Sequence, residues 1–205
     1  MILKNPVKNF DFANFLSKMT AYFGDIGQFE QKIQQLAQVI GLDLSKYPID
    51  HLAVRMNNVE TAQQWRDFLL VDNSLLKESE VNGRPISLIK LVEPLIFCGQ
   101  KVSIIELPFP KDKVYLEEGW EHIEIVIPFM ENESVEQWGK RIELQFGLPQ
   151  NTQICYKISQ PKVLGERLPN PSIAITLKDA TNRNNCCLKV HPYDITTIVC
   201  SENNF

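Results

Sequence analysis

DHLAVRM at residues 50–56 and EHIEIVIP at residues 121–128 are two versions of one phrase, and they decide the fold. Each opens with an acid and a histidine, Asp50–His51 and Glu121–His122. Leu52, Val54 and Met56 then mark every second position of the first, and Ile123, Ile125 and Ile127 those of the second. That period belongs to a strand packed on one side. The opposite face of the second strand carries His122 and Glu124, directly after bulky Trp120, and its purpose has to be explained.

The likeness continues past the strands. Each is followed by an amphipathic segment with a central tryptophan, NNVETAQQWRDFLL (57–70) and NESVEQWGKRIELQF (132–146). Asn58 and either Asn132 or Ser134 supply N-cap side chains for these two helices. Three strand-like runs come next: LLKESEV, PISLIKLV and KVSIIELPFP in the first half, and ICYKIS, SIAITL and CCLKVHPYDI in the second. The pattern predicts an α+β protein of two βαβββ modules, about 50–110 and 121–193, within one domain over 46–200. A mostly antiparallel sheet with helices on one face leaves its other face free to curl, so the paired modules should form a cupped mixed sheet. Both copies lie in one chain, joined by residues 111–120, which predicts an intramolecular cup and a functional monomer. Ahead of them, Phe12, Phe15, Leu16 and Met19, then Phe29, Ile33, Leu36 and Ile40, make two helical stripes broken at Gly24 and Gly27. This 1–45 segment is expected to pack on the core beside the first module and plug a sheet edge.

The chain has 205 residues, is 44% hydrophobic and 22% charged, and carries a net charge of −4 with no basic stripe. That balance argues against a nucleic-acid or membrane-surface partner. MILKNPVKNFDFANF holds no secretory apolar run, and no segment approaches the roughly 20 apolar residues of a bilayer span. Five cysteines without a CxxC pair read as free thiols of a reducing, cytoplasmic setting.

The chain's three histidines fall on repeat-equivalent positions. His51 and His122 open the first strand of each module. IIELPFP (104–110) and LKVHPYD (188–194) each close their module's last strand, and Glu106 and His191 are each followed by a proline within two residues, so the two are read as corresponding positions. A lone strand histidine is usually a hydrogen-bonded structural residue. Three at equivalent places, with a carboxylate at the fourth, point instead to one divalent transition metal (Zn, Fe(II), Ni or Mn) held by His51, Glu106, His122 and His191.

The βαβββ repeat with histidine on the first strand and an acid on the last resembles the vicinal oxygen chelate superfamily, which includes glyoxalase I, bleomycin-resistance proteins and extradiol dioxygenases. More narrowly, DHLAVR, VNGRPISLIKL, IIELPFP, EGWEHIEIV, RLPNPSIAIT and KVHPYDI resemble the YecM family of small bacterial proteins. The resemblance implies a cupped sheet with a metal inside, bound at His51, Glu106, His122 and His191. Many superfamily enzymes have a carboxylate where His191 stands and use it as the proton-transfer base, so glyoxalase-type proton abstraction is less secure here. Cupins also use three histidines and a glutamate, but their HxH pattern is absent.

Glu124, two residues past His122 on the same face, lies about 6.5–7 Å further along the strand. There it is a general base or an acceptor behind the metal ligands. Arg55, on the same face of the other module, contacts ligand or bridges to Glu124. Arg84 in NGRPI and Arg167 in ERLPNP clamp an anionic group at the cup mouth or are merely solvated. Trp120 walls the pocket or packs in the core. Two function classes follow. One is a metalloenzyme (isomerase, lyase or dioxygenase type) acting on a small oxygen-rich chelating substrate; the other is a small-molecule or metal binding protein without turnover.

Overall fold

The computed structural model describes residues 10–81, 83–112, 114–160, 167–178 and 186–202; residues 1–9 of the N-terminal segment lie outside these. Helices α1 (Phe12–Phe23) and α2 (Ile26–Val39) lead into the first module: β1 (Ile49–Arg55), α3 (Val59–Leu70), β2 (Ser74–Val81), β3 (Arg84–Phe97) and β4 (Gln100–Pro108). The second module is β5 (Gly119–Val126), α4 (Val135–Gln145), β6 (Ile154–Ser159), β7 (Ser172–Leu177) and β8 (Cys187–His191), and α5 (Ile195–Glu202) follows. The eight strands form one mixed sheet in the order β2-β3-β4-β1-β5-β8-β7-β6. β1 runs parallel to β4 and β5 parallel to β8, and the antiparallel β1–β5 pair joins the modules. Both βαβββ modules of this single sheet come from one chain.

Local chemistry explains the elements. Asn58 Oδ1 accepts the amides of Glu60 and Thr61 at the start of α3. Ser134 and Gln137 form a reciprocal capping box on α4, while Asn132 sits at φ 58° in the turn before it. The alternating apolar residues of β1 and β5 face the helices. Leu52, Val54, Ile123 and Ile125 join the core with Phe15, Met19 and Phe23 of α1 and Phe29, Ile33 and Leu36 of α2.

The N-terminal helices do not plug an edge. The sheet edges are β2 and β6, whereas α1 lies against β5 and α2 against β3, β5 and β8. Their aromatic stripes cover the seam where the two modules' apolar faces meet, which offers more apolar area than a strand edge does. α5 also went unread in the sequence, although Asp194 caps it by accepting from the Thr197 amide and hydroxyl.

Trp120 belongs to the seam. The β1–β5 ladder shifts register between Ala53 and Val54, leaving Val54 opposite Trp120. The extra residue turns Trp120 from the cup face to the helix face. It is buried, stacks on Phe29 at 5.9 Å and donates Nε1–H to the Gly24 carbonyl. Strict alternation had placed it beside His122; the bulge removes it from the pocket. Gly119 permits this packing: a Cβ there would lie 2.6 Å from the Phe23 carbonyl oxygen, and its φ is +136°.

Gly119→Ala should therefore destabilise the fold by at least about 2 kcal/mol; a loss under about 0.5 kcal/mol in denaturant unfolding would show that the close approach is not a constraint. Glu78 gives a second test. It accepts from Ser87 Oγ and Arg66 Nε, both at 2.6 Å, fastening α3 to the sheet. The Ser87 bond, helped by Arg66 and opposed by burial, holds its carboxyl below the usual range. A lowered native pKa adds stability above the unfolded value that is lost as pH falls through the native one. Glu78→Gln should thus cost stability at pH 7, and the gap to wild type should close under acid; a gap constant down to pH 3 would contradict this.

Candidate metal centre

The centre forms where β1 pairs with β5. His51 lies opposite Glu124, and Ala53 opposite His122, so a local two-fold relation exchanges His51 with His122 and Ala53 with Glu124. All four project into the cup, away from Leu52 and Ile123. β4 then places Glu106 beside Ala53, and β8 places Lys189 beside Glu124. The structural counterpart of Glu106 is therefore Lys189, not His191. The following proline comes two residues after Glu106 but one after His191, so nearness to a proline does not fix the register; His191 is one pleat further on than Lys189, opposite Val126.

Among the described residues, His51, Glu106, His122 and Glu124 bring one donor atom each within 4.8 Å of one another. His51 Nε2 is 3.5 Å from Glu106 Oε2 and 3.5 Å from Glu124 Oε2. His122 Nε2 is 3.7 Å from Glu106 Oε1 and 3.5 Å from Glu124 Oε1. These gaps exceed ordinary hydrogen bonds. They match the roughly 3.4 Å that separates neighbouring ligands about 2.1 Å from a tetrahedral ion. His51 Nε2 is fully buried without a hydrogen-bond partner, a costly condition that a metal would relieve.

The acids that precede the histidines orient them. Asp50 Oδ2 lies 2.9 Å from His51 Nδ1 and also accepts the Ile195 amide at 3.0 Å. A carboxylate only accepts, so Nδ1 carries the proton and Nε2 turns a lone pair to the centre when the ring is neutral. Glu121 Oε2 does the same more loosely for His122 Nδ1, at 3.4 Å.

Charge is concentrated here. Burial pulls the His51 imidazole down, yet Glu124, Asp50 and Glu106 outweigh it and hold it well above its usual value. Burial and Lys189 both lower His122, but Glu121, Glu124 and Glu106 leave it raised. Burial pushes Glu106 up, and Lys189 with the two histidines brings it down to about 2. Glu124 is held well below its usual value against burial, by His191, His51 and Lys189. Both carboxylates are thus ionised donors. The nearby Cys187 thiol is pushed up to about 12, chiefly by burial, which disfavours a thiolate ligand.

The other candidate residues divide. His191 stands outside the four-atom group, with Nε2 3.0 Å from Glu124 Oε2 and Nδ1 3.0 Å from Asn170 Oδ1. Arg84 lines a cavity of about 240 Å³ that opens from Glu106, Glu124, Lys189 and His191 toward Lys77 and Asn170 and is walled by Ile195, Ile198 and Val199 of α5. Arg55 is buried over the Tyr115 ring at 4.8 Å and does not line this cavity; Glu124 pairs with Lys189 rather than bridging to it. Arg167 is exposed and away from the cavity wall. Lys189 was missed because a strand lysine usually reads as solvated; its alternation with Leu188 and Val190 was the available signal.

An eight-stranded double βαβββ sheet with a His/Glu cluster where the modules' first strands pair defines the class of protein. The YecM protein family model matches residues 18–202, and the chain belongs to that family. An uncharacterised protein of Haemophilus influenzae is 50% identical over 182 residues, 89% of this chain and 94% of that one. Protein YecM of Escherichia coli is 38% identical over 180 residues, 88% of this chain and 92% of its own. A solved structural-genomics protein, EC4020, superposes with a TM-score of 0.75 at 33% identity, over 99% of both chains.

Because Asp50 ties His51 to the first turn of α5, Asp50→Ala should speed hydrogen exchange at the Ile195 amide at least about tenfold. Unchanged protection at Ile195 would show that α5 docks independently of the centre.

Proposed function

We propose that the chain binds one divalent transition metal through His51, Glu106, His122 and Glu124 and offers it to a small oxygen-rich molecule in the adjoining cavity. The observation that carries this reading is the convergence of two imidazole nitrogens on two carboxylates, three of the four side chains buried and Glu106 partly so, with nitrogen–oxygen spacings of 3.5–3.7 Å. Two imidazoles and two carboxylates, without a thiolate, suit Zn, Mn, Fe(II) or Ni. Bound there, the metal would polarise a carbonyl or enolate oxygen.

The remaining residues have roles around it. Asp50 and Glu121 set the tautomers of the two histidines. His191, on the cavity wall beside Glu124, is placed to hold or pass a proton at Nε2. Asn170 fixes that ring through Nδ1. Glu124 thereby moves from a base behind the ligands to a ligand itself, and His191 from a ligand to the wall. α5 excludes water with Ile195, Ile198 and Val199. Since both halves of the centre come from one chain, we read the functional unit as a monomer; the five cysteines are free thiols, which supports a reducing, cytoplasmic setting, and no described helix is long and apolar enough to cross a membrane.

A second reading, binding without turnover, draws on the same donor count: four protein ligands in a tetrahedral array leave no open position. The coordination number of the loaded metal, read by X-ray absorption, separates the two.

Untagged, chelator-treated protein should take up close to one equivalent of metal with micromolar or better affinity. Glu106→Gln and Glu124→Gln should each weaken it about tenfold or more, because a charged donor becomes neutral. If the wild type stays metal-free after dialysis against Zn, Ni, Mn and Fe(II) in turn, the cluster is structural and the proposal falls.

A further inference from the structure

Lys189 occupies a place that a metal would contest. Its Nζ lies 2.8 Å from His122 Nε2 and 3.0 Å from Glu124 Oε1, two of the four donor atoms described above. An imidazole nitrogen has a single lone pair. His122 Nε2 can accept from the Lys189 ammonium or coordinate a metal, but not both. The local two-fold relation adds to this: Lys189 stands where the other module puts Glu106, so a cation replaces what symmetry would make a further carboxylate. The side chain also has somewhere to go. It is 25% exposed and borders the cavity whose wall includes Arg84, Lys77, Ser79 and Ser172.

We infer that the Lys189 ammonium and a divalent metal exclude each other at His122, and that metal loading turns the ammonium into the cavity, where with Arg84 it receives the carboxylate of a small oxo- or hydroxy-acid whose other oxygen meets the metal. This rests on the metal reading above and names the ligand class for it. Without metal, the ammonium is the countercharge for Glu106 and Glu124. Its Nζ sits 3.0 Å from Glu124 Oε1 in that role. With metal, that service is redundant and the ammonium would sit beside a second cation, which drives it out. A lysine stem with four rotatable bonds makes the move without backbone change. The loaded cavity then gains a positive donor about where an anion leaving water needs one.

The test compares wild type, Lys189→Met and Lys189→Gln by chelator-competition titration with Zn and Mn, then by calorimetric titration of the metal-loaded proteins with oxalate and pyruvate. Two variants of different polarity guard against one misfolding, which circular dichroism would reveal. Both should bind metal at least about tenfold more tightly than wild type, since no ammonium has to be displaced. Both should bind oxalate and pyruvate at least about tenfold more weakly, since the carboxylate loses its partner. In wild type labelled at lysine Cε, one resonance should shift on metal loading and again on adding oxalate. Equal or weaker metal affinity in the variants overturns the exclusion and leaves the metal reading standing; unchanged oxalate affinity overturns the anion role. Failure of all three proteins to take up metal overturns both readings together.

Discussion

The antiparallel pairing of β1 with β5 is the constraint on which the rest depends. It sets His51 against Glu124 and Ala53 against His122, joins two modules into one sheet, and turns His51, His122 and Glu124 to the same side. A slip of one residue would exchange the faces, burying His51 and His122 among the helices and exposing Leu52 and Ile123 to the cup. The apolar seam resists that slip: α1 and α2 lock Leu52, Val54, Ile123 and Ile125 from behind. Helix packing on one face is thus what holds the donor atoms in register on the other.

Such a cluster is expensive. His51, His122 and Glu124 are all buried, and taking ionised groups out of water costs several kcal/mol each unless they are well paired. Part of that cost is offset by Asp50, Glu121 and Lys189, which supply hydrogen bonds and opposite charge. Nε2 of His51 makes no hydrogen bond and is compensated only by the carboxylates of Glu106 and Glu124 3.5 Å away. A purely structural cluster would gain by replacing these residues with apolar ones of similar size, so retention of an orphaned donor in the centre of the sheet argues for a ligand-binding purpose.

Most of the fold was legible because it is periodic. Two-residue alternation marked β1 and β5, and Asn58 and Ser134 marked the helix starts that follow them. His51 and His122 were readable because their strand parity opposes Leu52 and Ile123, and Glu106 because it ends the first module's last strand. What could not be read is what long-range register decides. Whether Glu106 matches Lys189 or His191 depends on how β4 and β8 slide against β1 and β5, and no local motif encodes that. Trp120 was placed by a bulge that no residue type announces in advance. α5 is a single short helix, below the length at which an apolar period stands out.

The departures from symmetry lie where chemistry would be expected. The two modules agree at His51 and His122 and at Asp50 and Glu121, the parts that a metal of any identity requires. They disagree at two pairs only a strand apart: Ala53 against Glu124, and Glu106 against Lys189. The second module has in effect moved its carboxylate one strand inward, from β8 to β5, and given the vacated place to a cation. The donor charge stays the same, but it is gathered on the β4–β1–β5 side, and the β8 side becomes positive. With a metal bound as proposed, an approaching molecule would meet it flanked by the ammonium of Lys189 and the imidazole of His191 instead of a second carboxylate. That polarity favours an anionic ligand entering over β8 and β7, beneath α5. It is a property of how the two copies differ, built on a frame that their likeness provides.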